Sequence, residues 1–204
     1  MKTLTAKQQT IVKASFALVS KKGIKGLTTK ALAQSLGVTE PSLYRHFKNK
    51  SEILFAILCR MEEDNRRMRD AFAHKELPAL EKLEAMYVAT MGIIAKSPVL
   101  ATVMFSEEQY QENRSLCLKA LDIQNNTLEM IRHITAEGFT KNQMRSDIPK
   151  EAIALAVMGM MRLLVSRWRL GGYSEDLVGQ VKKSWRALKI LLKPYPAQVT
   201  PKAR

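Results

Sequence analysis

Apolar residues recur at three- and four-residue spacing along nearly the whole chain, and no segment alternates apolar and polar residues between turn signals. This pattern predicts an all-α fold of about nine helices. Ile11, Ala14 and Leu18, flanked by Val12, Phe16 and Val19, form the stripe of a first helix from about Thr5 to Lys22, which Gly23 stops. Leu27-Thr28-Thr29 opens a short second helix through about Ser35. Gly37 breaks the pattern, and a third short helix follows from about Thr39 to Phe47. Asn49-Lys50-Ser51-Glu52 reads as a capping box opening a long fourth helix to about Phe72. Pro78 and Pro98 bracket a helix over about Ala79–Lys96, and Ser97-Pro98 reads as a cap and first residue of the next. Further helices are expected over about Arg114–Lys141, from Pro149 to Gly171-Gly172, and from a Ser174 cap to about Lys193, with Glu175 and Asp176 in the first turn. Pro194, Pro196 and Pro201 mark a flexible tail.

Composition adds direction to this outline. The chain has 204 residues, 46% hydrophobic and 25% charged, with a net charge of +14, which suits a globular protein with a polyanionic partner. The charge is unevenly placed. Residues 1–50 hold ten Lys and Arg against one acid, Glu40, so a quarter of the chain carries nine of the fourteen excess charges. A small nucleic-acid-binding head on a larger body that carries the remaining five is the arrangement this implies.

Residues 28–47, TTKALAQSLGVTEPSLYRHF, supply the motif. Two short helices flank a turn at Gly37, and Ala31, Leu32, Leu36, Val38, Leu43 and Phe47 are placed to pack them together. Thr39 is a good N-cap and a candidate DNA contact, and Pro41 falls in the first helical turn, where its missing N–H costs nothing. Glu40, Ser42, Tyr44, Arg45 and His46 remain on the second helix of the pair, with side chains suited to base edges and phosphates in a major groove. The pattern, the local charge and the capped basic start at Lys50 together read as a helix-turn-helix that binds double-stranded DNA.

These residues also carry a resemblance. The run Gly23, Leu27-Thr28-Thr29, Leu32-Ala33, Leu36-Gly37-Val38 and Leu43-Tyr44-Arg45-His46-Phe47-Lys48-Asn49-Lys50 resembles the N-terminal domain of the TetR family of bacterial transcriptional regulators over about residues 8–58. The resemblance implies phosphate contacts for Thr28, Thr29, Tyr44, His46 and Lys50, base reading by Glu40, Pro41 and Ser42, and a base or phosphate contact for Lys30. It implies three parts: a DNA-binding domain over 1–50, a helical ligand-binding and dimerisation domain over 51–193, and a tail over 194–204. The implied function is a sequence-specific regulator, in the family's common mode a repressor released from its operator by a small, largely apolar ligand. The alternative is a DNA-binding adaptor that needs no effector or answers to a protein.

A helix-turn-helix monomer makes few contacts, so a homodimer on a pseudo-palindromic operator is expected. Ile153–Met161 is apolar all round its helix, which predicts burial on two sides. Ala156 and Gly159 there, with Val181, Trp185 and Leu188 on the last helix, are the candidate interface; the two helices resemble the family's dimerisation pair. Methionine suits adaptable apolar pockets, and Met86, Met104 and Met130, with Phe105, Tyr110, Asn126 and Trp168, are the candidate ligand contacts.

Other classes find little support. No Ser/His/Asp constellation, phosphate-binding glycine loop, HExxH or paired-carboxylate motif argues for an enzyme. Cys59 and Cys117 are isolated, and His46, His74 and His133 have no metal-site spacing, so neither a metal nor another cofactor is expected. No apolar run has the length of a signal peptide or a membrane span, so a reduced, cytoplasmic protein with no membrane partner is expected.

Overall fold

The computed structural model describes residues 4–111 and 113–194. Residues 195–204, which hold most of the expected tail, lie outside the described residues. Ten helical segments appear: α1 (Ala6–Lys22), α2 (Thr29–Leu36), α3 (Glu40–Tyr44), α4 (Lys50–Ala73), α5 (Ala79–Lys96), α6 (Pro98–Met104), α7 (Glu107–Tyr110), α8 (Arg114–Thr140), α9 (Lys150–Leu170) and α10 (Leu177–Leu192). One of them, α7, is a single turn, so nine helices are longer than four residues, and no strand occurs among the described residues.

Local chemistry sets the ends. The Thr5 hydroxyl accepts the Gln8 N–H at 3.2 Å while the Gln8 side chain accepts the Thr5 N–H at 3.0 Å, a reciprocal cap that opens α1. Gly37 closes α2 in the left-handed region at φ 64°, which a side chain would strain. Gly26 lies so close to the end of α1 that a Cβ on it would stand 2.3 Å from that of Lys22, so only glycine fits the turn into α2.

Three expected caps differ. At α4, Asn49 accepts the Glu52 N–H at 3.0 Å, but Glu52 reaches back to the Lys48 N–H at 2.7 Å, one residue beyond the cap. Ser97 makes no side-chain cap at α6. The cap of α10 is Asp176, which accepts the Gly179 N–H at 3.0 Å; Ser174 instead donates to the Gly171 carbonyl at 2.8 Å. Ser174 is thus spent closing the turn after α9, and the negative carboxylate takes the position nearest the helix dipole.

Two cores organise the chain. The first joins α1, α2 and α3 to the N-terminal half of α4 through Ile11, Leu27, Leu32, Leu43 and Ile57, and extends into the body at Val103 and Leu116. The second lies between α5, α8, α9 and α10, around Tyr87, Met91, Ile131 and Trp185. Tyr87 and Trp185 pack with ring centroids 5.4 Å apart. Lys82, almost wholly buried, reaches Glu137 at 3.0 Å and so ties α5 to α8. The long α4 contributes to the first core at its start and, near its end, places Phe72 in the second.

Candidate nucleic-acid interface and cavity

The polar ends of α2, α3 and α4 gather on the head. The Thr28 hydroxyl accepts the Ala31 N–H at 3.1 Å and so caps α2. Thr39 caps α3 through the Ser42 N–H at 3.4 Å. Between the two helices the Thr29 hydroxyl donates to Glu40 at 2.9 Å and lies 3.4 Å from the Tyr44 hydroxyl. Arg45 donates to the Ser42 hydroxyl at 3.0 Å. Thr28, Lys30, Thr39, Pro41, Tyr44 and Arg45 are exposed, while Thr29, Glu40, Ser42, His46 and Lys50 are half-buried. The surface therefore presents hydroxyls, a guanidinium and an ammonium around one carboxylate that is already positioned.

Two contacts were not legible from residue order. Gln8 donates to the His46 carbonyl at 3.2 Å, so α1 braces the end of the third helix. The Lys50 ammonium donates to the Ile24 carbonyl at 2.9 Å, which ties the start of α4 to the turn between α1 and α2. The α-helical part of the third helix ends at Tyr44; residues 45 and 46 continue as a turn.

The body encloses a cavity of about 190 Å³ between α4, α5, α6, α8 and α9. Its wall is mainly apolar, with Met61, Met68, Met86, Met104, Met130, Met158 and Met161 among the lining residues. Phe16 of α1 also lines it, so the head contributes directly to the wall. Phe16, Asp64 and Leu100 are shared with an adjoining groove of about 440 Å³ between α1, α4 and α6. Glu107 and Arg162, an ion pair joining α7 to α9, line the cavity too.

Of the seven expected ligand contacts, Met86, Met104, Tyr110 and Met130 stand on this wall. Tyr110 is buried and its hydroxyl donates to the Val103 carbonyl at 2.6 Å; burial raises its pKa. Phe105, Asn126 and Trp168 do not line it. The Phe105 ring instead carries the guanidinium groups of Arg162 and Arg169 at 4.7 and 5.2 Å. Asn126 donates to Glu62 at 3.1 Å, between α8 and α4. Trp168 is buried, donates to the Glu175 carbonyl at 3.0 Å and meets Tyr173 edge-on.

The expected interface needs the same sorting. Val181 and Trp185 have no exposed surface, and Leu188 packs on the second core, so these three face the interior of their own chain. Ala156 and Gly159 are exposed. They continue into Leu155, Leu163 and Leu170, which are 60%, 61% and 79% exposed, and beside them α10 shows Ile190 and Leu191. Burial on two sides within one chain does not occur for 153–161: Ile153, Ala154 and Val157 are buried, and the opposite side is open.

Among the described residues no group of His, Cys, Asp and Glu could hold a metal ion. No single described helix is long and apolar enough to cross a membrane; α5 and α6 reach that length and apolar content only together, across a 103° bend.

Comparison with known proteins accounts for both halves. Residues 11–57 match the family described as "Bacterial regulatory proteins, tetR family", and residues 59–191 match "YsiA-like protein, C-terminal region". The chain is 24% identical to the HTH-type transcriptional regulator TtgR of Pseudomonas putida over 180 residues, 85% of each chain. It is 25% identical to the fatty acid metabolism regulator protein of Bacillus subtilis over 179 residues, 87% of this chain and 91% of that one. The crystal structure of the regulator FadR from Bacillus subtilis in complex with stearoyl-CoA superposes with a TM-score of 0.77 at 22% identity, covering 90% of this chain and 97% of that one, and so shares its fold.

Proposed function

The chain belongs to the TetR family of bacterial regulators and is a DNA-binding transcriptional regulator; from that premise we propose that it is a dimeric repressor released from its operator by a small, largely apolar ligand. The observation that carries this reading is the apolar cavity in the body. Its wall includes Met61 and Met68 of α4, the helix whose other end opens beside the helix-turn-helix. A relative crystallised with stearoyl-CoA supports an apolar ligand. An open cavity weighs against an effector-independent adaptor.

On the head, Thr28, Thr29, Tyr44, His46 and Lys50 hold phosphates and fix register, while Glu40, Pro41 and Ser42, with Lys30, read bases. Thr39 and Arg45 hold Ser42 in place. Two heads reach successive major grooves when a second copy covers the open face of α9 and α10. Ligand binds the form whose heads are mis-spaced and weakens DNA binding by its preference for that form.

The test is selection from random duplexes by the full-length chain. The expected result is an inverted repeat with half-site centres about 10 base pairs apart or a multiple of that. Enrichment of a sequence without two-fold symmetry, or no enrichment, overturns the reading.

A further inference from the structure

Two residues that line the cavity each carry a buried hydrogen-bond donor with no partner among the described residues. Arg69 of α4 lines the cavity with its side chain 15% exposed. Its Nη2 donates to Glu62 Oε1 at 2.7 Å, but its Nη1 is buried and has no hydrogen-bond partner among the described residues. Tyr87 of α5 lines the same cavity, is 1% exposed, and its hydroxyl likewise has no partner among the described residues. A guanidinium has donors only, and a buried phenol left unsatisfied requires an acceptor. Thr90, one turn from Tyr87 and also on the wall, donates to Met68 at 3.4 Å, so this part of α5 faces the residue beside Arg69.

We infer that the cavity takes an amphiphile with a carboxylate end, and that Arg69 is the anchor for that carboxylate. The inference rests on the ligand reading above and names the ligand's polar end. A carboxylate accepts only, matches the planar guanidinium fork, and gains most where the fork is shielded from water. The rest of the wall is mainly apolar, with Asp64, Asn65, Gln124, Thr127 and the Glu107–Arg162 ion pair as further polar members, so most of the remaining ligand is hydrocarbon. A cavity of about 150 Å³ holds benzene, so about 190 Å³ suits a chain of roughly eight carbons.

Anchoring has a consequence for α4. Glu62 is also nearly buried and depends on two donors, Arg69 and Asn126 of α8 at 3.1 Å, while its second oxygen has no partner among the described residues. A ligand carboxylate on Nη1 adds a second negative charge beside Glu62, which keeps its bond to Nη2. The two carboxylates then share one guanidinium, which strains the contact between α4 and α8. That helix begins at the DNA-binding head, so ligand entry and head position share one ion pair.

The experiment is calorimetric titration of the full-length chain with octanoate and with 1-octanol, which have the same stem and differ in the acceptor end. Octanoate is expected to bind the wild type at least tenfold more tightly. Arg69→Met should bring the two within twofold of each other. Glu62→Gln, which keeps an acceptor for Arg69 Nη2 and removes the neighbouring negative charge, should tighten octanoate at least threefold and leave 1-octanol unchanged. Equal binding of both probes to the wild type, a preference that survives Arg69→Met, or octanoate binding unmoved by Glu62→Gln in a folded variant, overturns the inference alone. If neither probe binds the wild type, the apolar-ligand reading of the cavity fails as well.

Discussion

The Thr29 hydroxyl donates to the Glu40 carboxylate at 2.9 Å, joining the first residue of α2 to the first residue of α3. One oxygen of the carboxylate proposed to read a base is thereby fixed by the neighbouring helix. Glu40 is the single acid among the first fifty residues, set in a strongly basic field. A carboxylate accepts from cytosine N4 and repels phosphate, so its value lies in discrimination.

Glu40→Gln is therefore expected to change base preference at one operator position by about 1–3 kcal/mol while total affinity moves less. Thr29→Val keeps the helix but frees the carboxylate, and should blur the same position. Competition binding with operators varied at each position checks both. Equal weakening by Glu40→Gln on operator and random DNA would count against the assignment; Thr29→Val, which also alters a proposed phosphate contact, is judged by the preference at that position alone.

Lys50 has two duties to separate. Its ammonium holds the Ile24 carbonyl at 2.9 Å, so Lys50→Ala should cost about 1–2 kcal/mol of stability by thermal unfolding. If it also reaches a phosphate, the slope of log affinity against log salt falls by about 1. A stability loss with no change in slope would assign Lys50 to structure only.

Trp185 and Leu163 lie on opposite sides of the dimer question. Leu163 is 61% exposed on α9, and Leu163→Glu should give a folded monomer in sedimentation with operator affinity largely lost. Trp185 has no exposed surface, and Trp185→Ala should cost roughly 3–5 kcal/mol of stability. A Leu163→Glu dimer would move the interface elsewhere.

Glu137 predicts an acid limit. Hydrogen bonds from Lys141, then Lys82, hold its carboxyl below the ordinary value of 4.5. The folded state thus favours the ionised form. The stability this contributes is full above about pH 4.5 and is lost as pH falls through the lower, folded-state value. Glu137→Gln should make the stability curve between pH 6 and 3 shallower in chemical denaturation. An unchanged curve would show that the ion pairs contribute nothing.

The helices and the head were readable because each has local causes: Thr28, Thr39 and Asn49 cap where they stand in sequence, and Gly37 stops α2 where a left-handed residue is needed. Position across the fold was less readable. Helical period finds the apolar stripes of α9 and α10 but does not say which stripe meets the chain itself. Val181 and Trp185, the larger and more regular set, fill the interior, and Leu155 and Leu163 are left for the surface. Asn126 is polar on a helix face otherwise apolar at Ile123, Met130 and Ile134, but the side chain it meets across the fold is Glu62, 64 residues away. Phe105 is aromatic like a pocket residue and serves two arginines instead. Ser174 lost the α10 cap to Asp176 because both are good caps two residues apart.

The central claim is that filling the body's cavity weakens the head's hold on DNA, and linkage makes it measurable in both directions. The operator recovered by selection is titrated by fluorescence anisotropy with and without octanoate at a concentration that calorimetry shows to fill the cavity. The account predicts that the operator Kd rises at least tenfold, and that octanoate binding to the operator complex weakens by the same factor. An operator Kd unchanged by a filled cavity would contradict it.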